Sequence, residues 1–87
     1  MHLLEVFYSE HCFACPEARR AVGTFASSRS DVQVIEHDID VEPELAKRYR
    51  LIATPALVFD GEVIWYGVPG PGTLARRVEA KRPALSI

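Results

Sequence analysis

The chain has 87 residues, 48% of them apolar and 25% charged, the makeup of one ordinary folded domain, which excludes a multidomain enzyme, a disordered chain and a collagen-like one. Ten Lys and Arg against twelve Asp and Glu leave a net charge of −2, without the strong positive field that nucleic-acid binding needs. Two cysteines, Cys12 and Cys15, are too few for the multi-bridge framework that staples small secreted domains.

Met1-His2 leads straight into Leu3-Leu4-Glu5-Val6-Phe7-Tyr8, with none of the basic, apolar and small-residue succession of an export signal. Leu3 to Tyr8 is β-rich, ends at Ser9-Glu10-His11 and reads as a short, largely buried strand. Ala18, Ala21, Val22 and Phe25 then recur at helical spacing opposite Glu17, Arg19, Arg20 and Thr24. Pro16 suits the first turn of that helix, where its missing N–H would be unpaired anyway. Gly23 sits inside it as a tolerated weakness. Beyond Ser27 to Asp31, Val32 to His37 reads as a second strand, parallel to the first through a right-handed βαβ crossover. Glu42 to Arg50 forms a shorter helix with Pro43 in its first turn and Leu45, Ala46 and Tyr49 on its buried stripe. Ala56 to Phe59 and Val63 to Tyr66 flank Asp60-Gly61-Glu62, whose Asp-Gly pair signals a tight hairpin. The glycine- and proline-rich stretch Gly67 to Gly72 breaks the sheet, and Thr73 to Lys81 forms a last helix stopped by Pro83. The order is β-α-β-α-β-β-α in a single unit, an α/β fold. No apolar run approaches the roughly 20 residues that span a bilayer.

The chemistry lies in Cys12-Phe13-Ala14-Cys15. Two thiols with this spacing at a helix opening can close a small disulfide ring, and the helix dipole stabilises a thiolate at the exposed end. Cys12, nearer solvent, is the candidate nucleophile. Cys15, one turn further in, is the resolving thiol that attacks the mixed disulfide and releases the reduced partner. His11 adds a charge that can lower the Cys12 thiol, and Glu10 acts against it. The other readings of the pair are a metal carrier or two inert core cysteines. Zinc wants four ligands, and beyond the pair the chain offers only His2, His11 and His37 on separate elements. Copper(I) needs just two thiolates, but the small copper carriers are βαββαβ.

A strand ending in Tyr8-Ser9-Glu10-His11, then Cys12 to Pro16 opening a helix, then Thr54-Pro55 before a hairpin, resembles the thioredoxin-like family in its small, glutaredoxin-sized form, as found among prokaryotes. The resemblance covers residues 3 to 81. It implies a thioredoxin-like domain over residues 1–82 with a short tail at 83–87, and a four-stranded mixed sheet flanked by three helices. It also implies a cis Pro55 lying against the cysteine pair, with the backbone at Thr54 free to pair with an extended substrate segment. Gly67 with Val68-Pro69 matches the glycine-containing turn that completes an apolar rim. Three departures stand out. Val6 occupies the position where thioredoxins carry a buried aspartate. Phe13-Ala14 replaces the Gly-Pro or Pro-Tyr of the better-known members. Tyr66-Gly67-Val68-Pro69-Gly70 lacks the Gly-Gly and acidic residue with which glutaredoxins hold glutathione.

The expectation is therefore a cytosolic, monomeric thiol–disulfide oxidoreductase that needs no bound cofactor or metal. It reduces protein disulfides through Cys12 and draws electrons from a reductase or a low-molecular-weight thiol. Neither nucleic acid nor membrane is an expected partner. The contrasting expectation is a non-catalytic module of the same fold, or a zinc or copper carrier.

Overall fold

The computed structural model describes residues 1–81. The boundary expected at residue 82 and the tail at 83–87 lie outside the described residues. The elements are β1 (His2–Tyr8), α1 (Cys15–Ser27), β2 (Val32–Asp38), α2 (Pro43–Arg48), β3 (Ala56–Phe59), β4 (Glu62–Tyr66) and α3 (Thr73–Lys81). The four strands form one sheet in the order β2-β1-β3-β4. β1 pairs with β2 in parallel and with β3 antiparallel, and β3 pairs antiparallel with β4.

Strand alternation sorts β1 between two cores. Leu4 and Val6 face α1 and α3 and pack with Val22, Leu57, Phe59, Leu74 and Val78. Glu5 and Phe7 point to the other side, where Phe7, Ala56 and Val58 are covered by Ile39, Leu45, Tyr49 and Leu51. Nothing in α2 is fully buried; Leu45 and, just past the helix, Tyr49 are half-buried lids on that second core, and Ala46 is half-buried without packing on it. The helix is also shorter than the sequence spacing predicts. It closes at Arg48, and Arg50 turns into the left-handed region at φ 55°, so the Pro-started segment yields under two turns before the chain must reverse toward β3.

The hairpin is tighter than the three residues flanked by the apolar runs. β4 already begins at Glu62, leaving only Asp60 and Gly61 in the loop, at φ 50° and 87°. Two residues of positive φ make the turn whose twist matches the strands. Asp60 serves a second purpose: its carboxylate accepts from the Leu3 N–H at 2.8 Å and contacts the His2 ring. Partial burial pushes that carboxyl up, but the Leu3 N–H and the His2 ring outweigh it and hold it below its ordinary value. Past the turn, Leu57 pairs with Trp65 and Val58 with Val63. Ile64 is the extra residue of a bulge there, which turns its side chain into the α1-facing core.

Candidate active site

Three loops meet at one end of the sheet. β1 ends at Tyr8 and runs into residues 9–14. Its partner Phe7 pairs with Ala56, so Pro55 lies beside the exit of β1. Tyr66 pairs with Ala56, which brings Gly67 to the same end, where the Gly67 N–H donates to the Pro55 carbonyl at 2.8 Å. The Thr54–Pro55 peptide is cis. Pro55 is buried and Thr54 half-exposed.

Cys12 and Cys15 are joined by a disulfide, with Cα atoms 5.4 Å apart. Only Cys15 belongs to the helix, as the first residue of α1; Cys12 stands in the turn ahead of it. The Cys12 N–H donates to the Ser9 carbonyl at 3.1 Å, and the Cys15 N–H to the Cys12 carbonyl at 3.3 Å. Ser9 is itself pinned, its hydroxyl donating to Asp40 at 2.9 Å and accepting from the His11 N–H at 3.2 Å. The pair is asymmetric: Cys15, at the start of α1, is 1% exposed, whereas Cys12 is partly exposed. Ala14 at the helix start provides no side-chain cap, so the positive end of the α1 dipole lies at the cysteine pair with no capping side chain in front of it.

Large apolar side chains stand in solvent around this end. Phe13 between the cysteines is 101% exposed and Ile52 84% exposed. Next to Thr54 a cleft of about 230 Å3 is lined by Ile39, Ala46, Leu51 and Ile52. Tyr8 forms the opposite flank, its ring under the Arg19 guanidinium at 4.0 Å. Glu36 accepts from that same guanidinium at 2.8 Å, and this hydrogen bond raises the Arg19 pKa. His11 is exposed.

Val6, at the position that carries an aspartate in thioredoxins, is fully buried among apolar neighbours. The one buried carboxylate of β1 is Glu5, on the opposite face. Its Oε2 lies 2.9 Å from His37 Nε2, and its Oε1 accepts from the Tyr49 hydroxyl at 3.1 Å. His37 Nδ1 lies 3.4 Å from Glu42. Residue pattern alone shows Glu5 as part of a strand and His37 as a histidine on a separate element from the cysteines, and does not join the two. The signal was a charge inside a buried strand, which requires a partner.

A family model described as a thioredoxin domain matches residues 3–79. The chain belongs to the thioredoxin family. A thioredoxin from Methanocaldococcus jannaschii is 29% identical over 79 residues, spanning 90% of this chain and 93% of that protein. Among solved structures, oxidised mitochondrial thioredoxin 3 from Saccharomyces cerevisiae superposes with a TM-score of 0.77 at 25% identity, covering 91% of this chain and 77% of its own. A thioredoxin variant from Halobacterium salinarum gives 0.76 at 29% identity, covering 91% and 73%. With the thioredoxin fold and the C-x-x-C disulfide together, the chain is a thiol–disulfide oxidoreductase. Thioredoxins as a class act on disulfide substrates and are recharged by reductase partners. Among the described residues no three His, Cys, Asp or Glu side chains cluster in the manner of a metal site, and no helix is long and apolar enough to cross a membrane.

Proposed function

We propose that this thioredoxin reduces protein disulfides by way of a mixed disulfide at Cys12. The asymmetry of the pair carries the reading: Cys12 is partly exposed and Cys15 is buried one turn away. In the reduced protein the Cys12 thiolate attacks one sulfur of a substrate disulfide, forming a mixed disulfide and releasing the other sulfur as a thiolate that takes up a proton. Cys15 gives up its proton and attacks the Cys12 sulfur, closing the Cys12–Cys15 disulfide and releasing the second substrate thiol. Two electrons pass from the dithiol to the substrate, and a reductase or low-molecular-weight thiol returns them.

Thr54 and Pro55 position the substrate in this reading. An extended segment lies along the Thr54 backbone, with its side chains between Phe13, Ile52 and the cleft beside Thr54. The His11 ring is in solvent, where its charge is screened, so we give it a minor part in tuning Cys12. The cytosol suits a pair that must be returned to the dithiol after each turnover.

The test is trapping. A Cys15→Ser protein should accumulate covalent adducts with disulfide-bearing proteins such as insulin, and a Cys12→Ser protein should not; adducts formed by the second alone would reverse the roles. A reduction potential near about −270 mV fits a reductant, and one near about −120 mV would turn the direction around.

A further inference from the structure

The groove between α1 and the start of α3 takes no part in the reaction above. It has a volume of about 510 Å3 and a floor made of Ala21, Phe25, Val68, Pro69, Leu74 and Ala75. Arg20 and Arg29 also line it, against a single carboxylate, Glu17, at the end nearest Cys15. The Arg29 guanidinium is stacked on the Phe25 ring at 4.3 Å, and its Nε is buried with no hydrogen-bond partner among the described residues. The groove is built on the same elements that hold the redox centre. Gly67, tied to the Pro55 carbonyl, is followed by Val68 and Pro69 in the groove floor, while α1 runs from Cys15 along its length.

We propose that this groove receives an acidic, apolar-bearing segment of the same protein whose disulfide Cys12 attacks. The inference rests on the disulfide-exchange reading. Arg20 stands on α1 and Arg29 just past its C-terminal end, so the two line different stretches of the groove. Carboxylates at the ends of such a segment reach both guanidinium groups, and an apolar side chain between them covers the floor above Phe25. A cationic segment meets two like charges and is rejected. Selection by this groove lets a small thioredoxin choose among disulfides that are chemically alike.

Two synthetic disulfide peptides test the proposal. They share one cystine and the same apolar residues, and differ only in carrying Glu or Lys in the arm that would lie in the groove. Pre-reduced protein is mixed with each in single turnover, so that one dithiol is oxidised for each peptide disulfide reduced to two thiols. Rates are scaled to hydroxyethyl disulfide, which is uncharged and too small to reach the groove. At low salt the Glu peptide should react about fivefold to tenfold faster than the Lys peptide, with the gap closing as salt is raised. Arg20→Glu should invert the preference. Arg20 is exposed, and a second measurement needs no groove variant. A cysteine-free Glu peptide titrated into the Cys12→Ser, Cys15→Ser protein should shift the amide resonances of Phe25, Leu74 and Ala75. Equal scaled rates for the two peptides overturn the groove assignment and leave disulfide exchange standing. Failure to reduce even hydroxyethyl disulfide overturns the exchange reading itself. Concentration-dependent shifts of those same amides without peptide would give the groove to a second copy of the chain, and so overturn the proposal as well.

Discussion

Glu5 carries a charge into a strand position where it is only 6% exposed, and His37 beside it is 8% exposed. Desolvating a carboxylate that far is costly unless its oxygens are matched, and here His37 takes one oxygen and Tyr49 the other. Phe7 packs its ring against both partners, at 4.7 Å from His37 and 5.7 Å from Tyr49, so the polar cluster is locked by apolar contact. His37→Leu should cost about 2–4 kcal/mol, because it leaves Glu5 buried with the Tyr49 hydroxyl alone. Adding Glu5→Leu should recover much of that loss, since an apolar pair of similar size is close to neutral. Urea midpoints for the two single variants and the double variant decide it, and additive losses would show the side chains to be uncoupled. Tyr49 makes a separate pH prediction. Burial first, then its hydrogen bond to Glu5, raises its hydroxyl above the usual 10.0. The unfolded chain therefore loses this proton before the folded one does. The stabilisation is fully present below pH 10.0 and is lost as pH climbs through the raised folded value. Tyr49→Phe should cost about 1 kcal/mol at neutral pH and flatten part of the alkaline decline, seen by repeating the urea midpoints from neutrality upward. The sequence displayed the anomaly at Glu5 but not its resolution. Which of three histidines and three tyrosines meets it depends on the β1–β2 register and on α2 folding over that face.

Elements were legible where a local rule and the tertiary context agree. The Asp-Gly pair needs positive φ and is found there. α1 follows from its apolar spacing and Pro16, with Ala18 and Val22 fully buried. Boundaries failed where packing decides. α2 stops at Arg48 because the chain must turn back to deliver cis-Pro55 to the sheet end, and periodicity carries no notice of that. Cys12 fell outside α1 for a related reason: the turn from Ser9 to Cys15 is closed by backbone bonds that no residue pattern announces. Gly23 shows the reverse case, a weakness that the structure explains by an absence of crowding. It is exposed in mid-helix, and a Cβ placed there would meet nothing within 4 Å. Gly23→Ala should therefore stabilise the protein by about 0.5–1 kcal/mol, through helix propensity and a less mobile unfolded chain. The thermal midpoint should rise with no change in reduction rate; an unchanged midpoint would mean that α1 frays at this position before the protein unfolds.

Across the whole molecule the disulfide has to be a reversible bond and cannot also be the staple. The fold meets that condition through its two cores: Leu4, Val6, Leu57 and Phe59 on one face of the sheet and Phe7, Ala56 and Val58 on the other pack in clusters that include neither Cys12 nor Cys15. The bridge spans a sequence separation of three, and so short a loop removes little entropy from the unfolded chain, about 2 kcal/mol by loop-closure arithmetic. A domain of this size has a stability of about 5–10 kcal/mol, so losing the bridge lowers the urea midpoint without unfolding the protein. Reduction should therefore shift the midpoint by no more than that amount while leaving far-ultraviolet circular dichroism unchanged, and the Cys12→Ser, Cys15→Ser protein should match the reduced form. A reduced protein that melts at room temperature would mean that the bridge holds the domain together, and the Cys12–Cys15 pair could not then cycle.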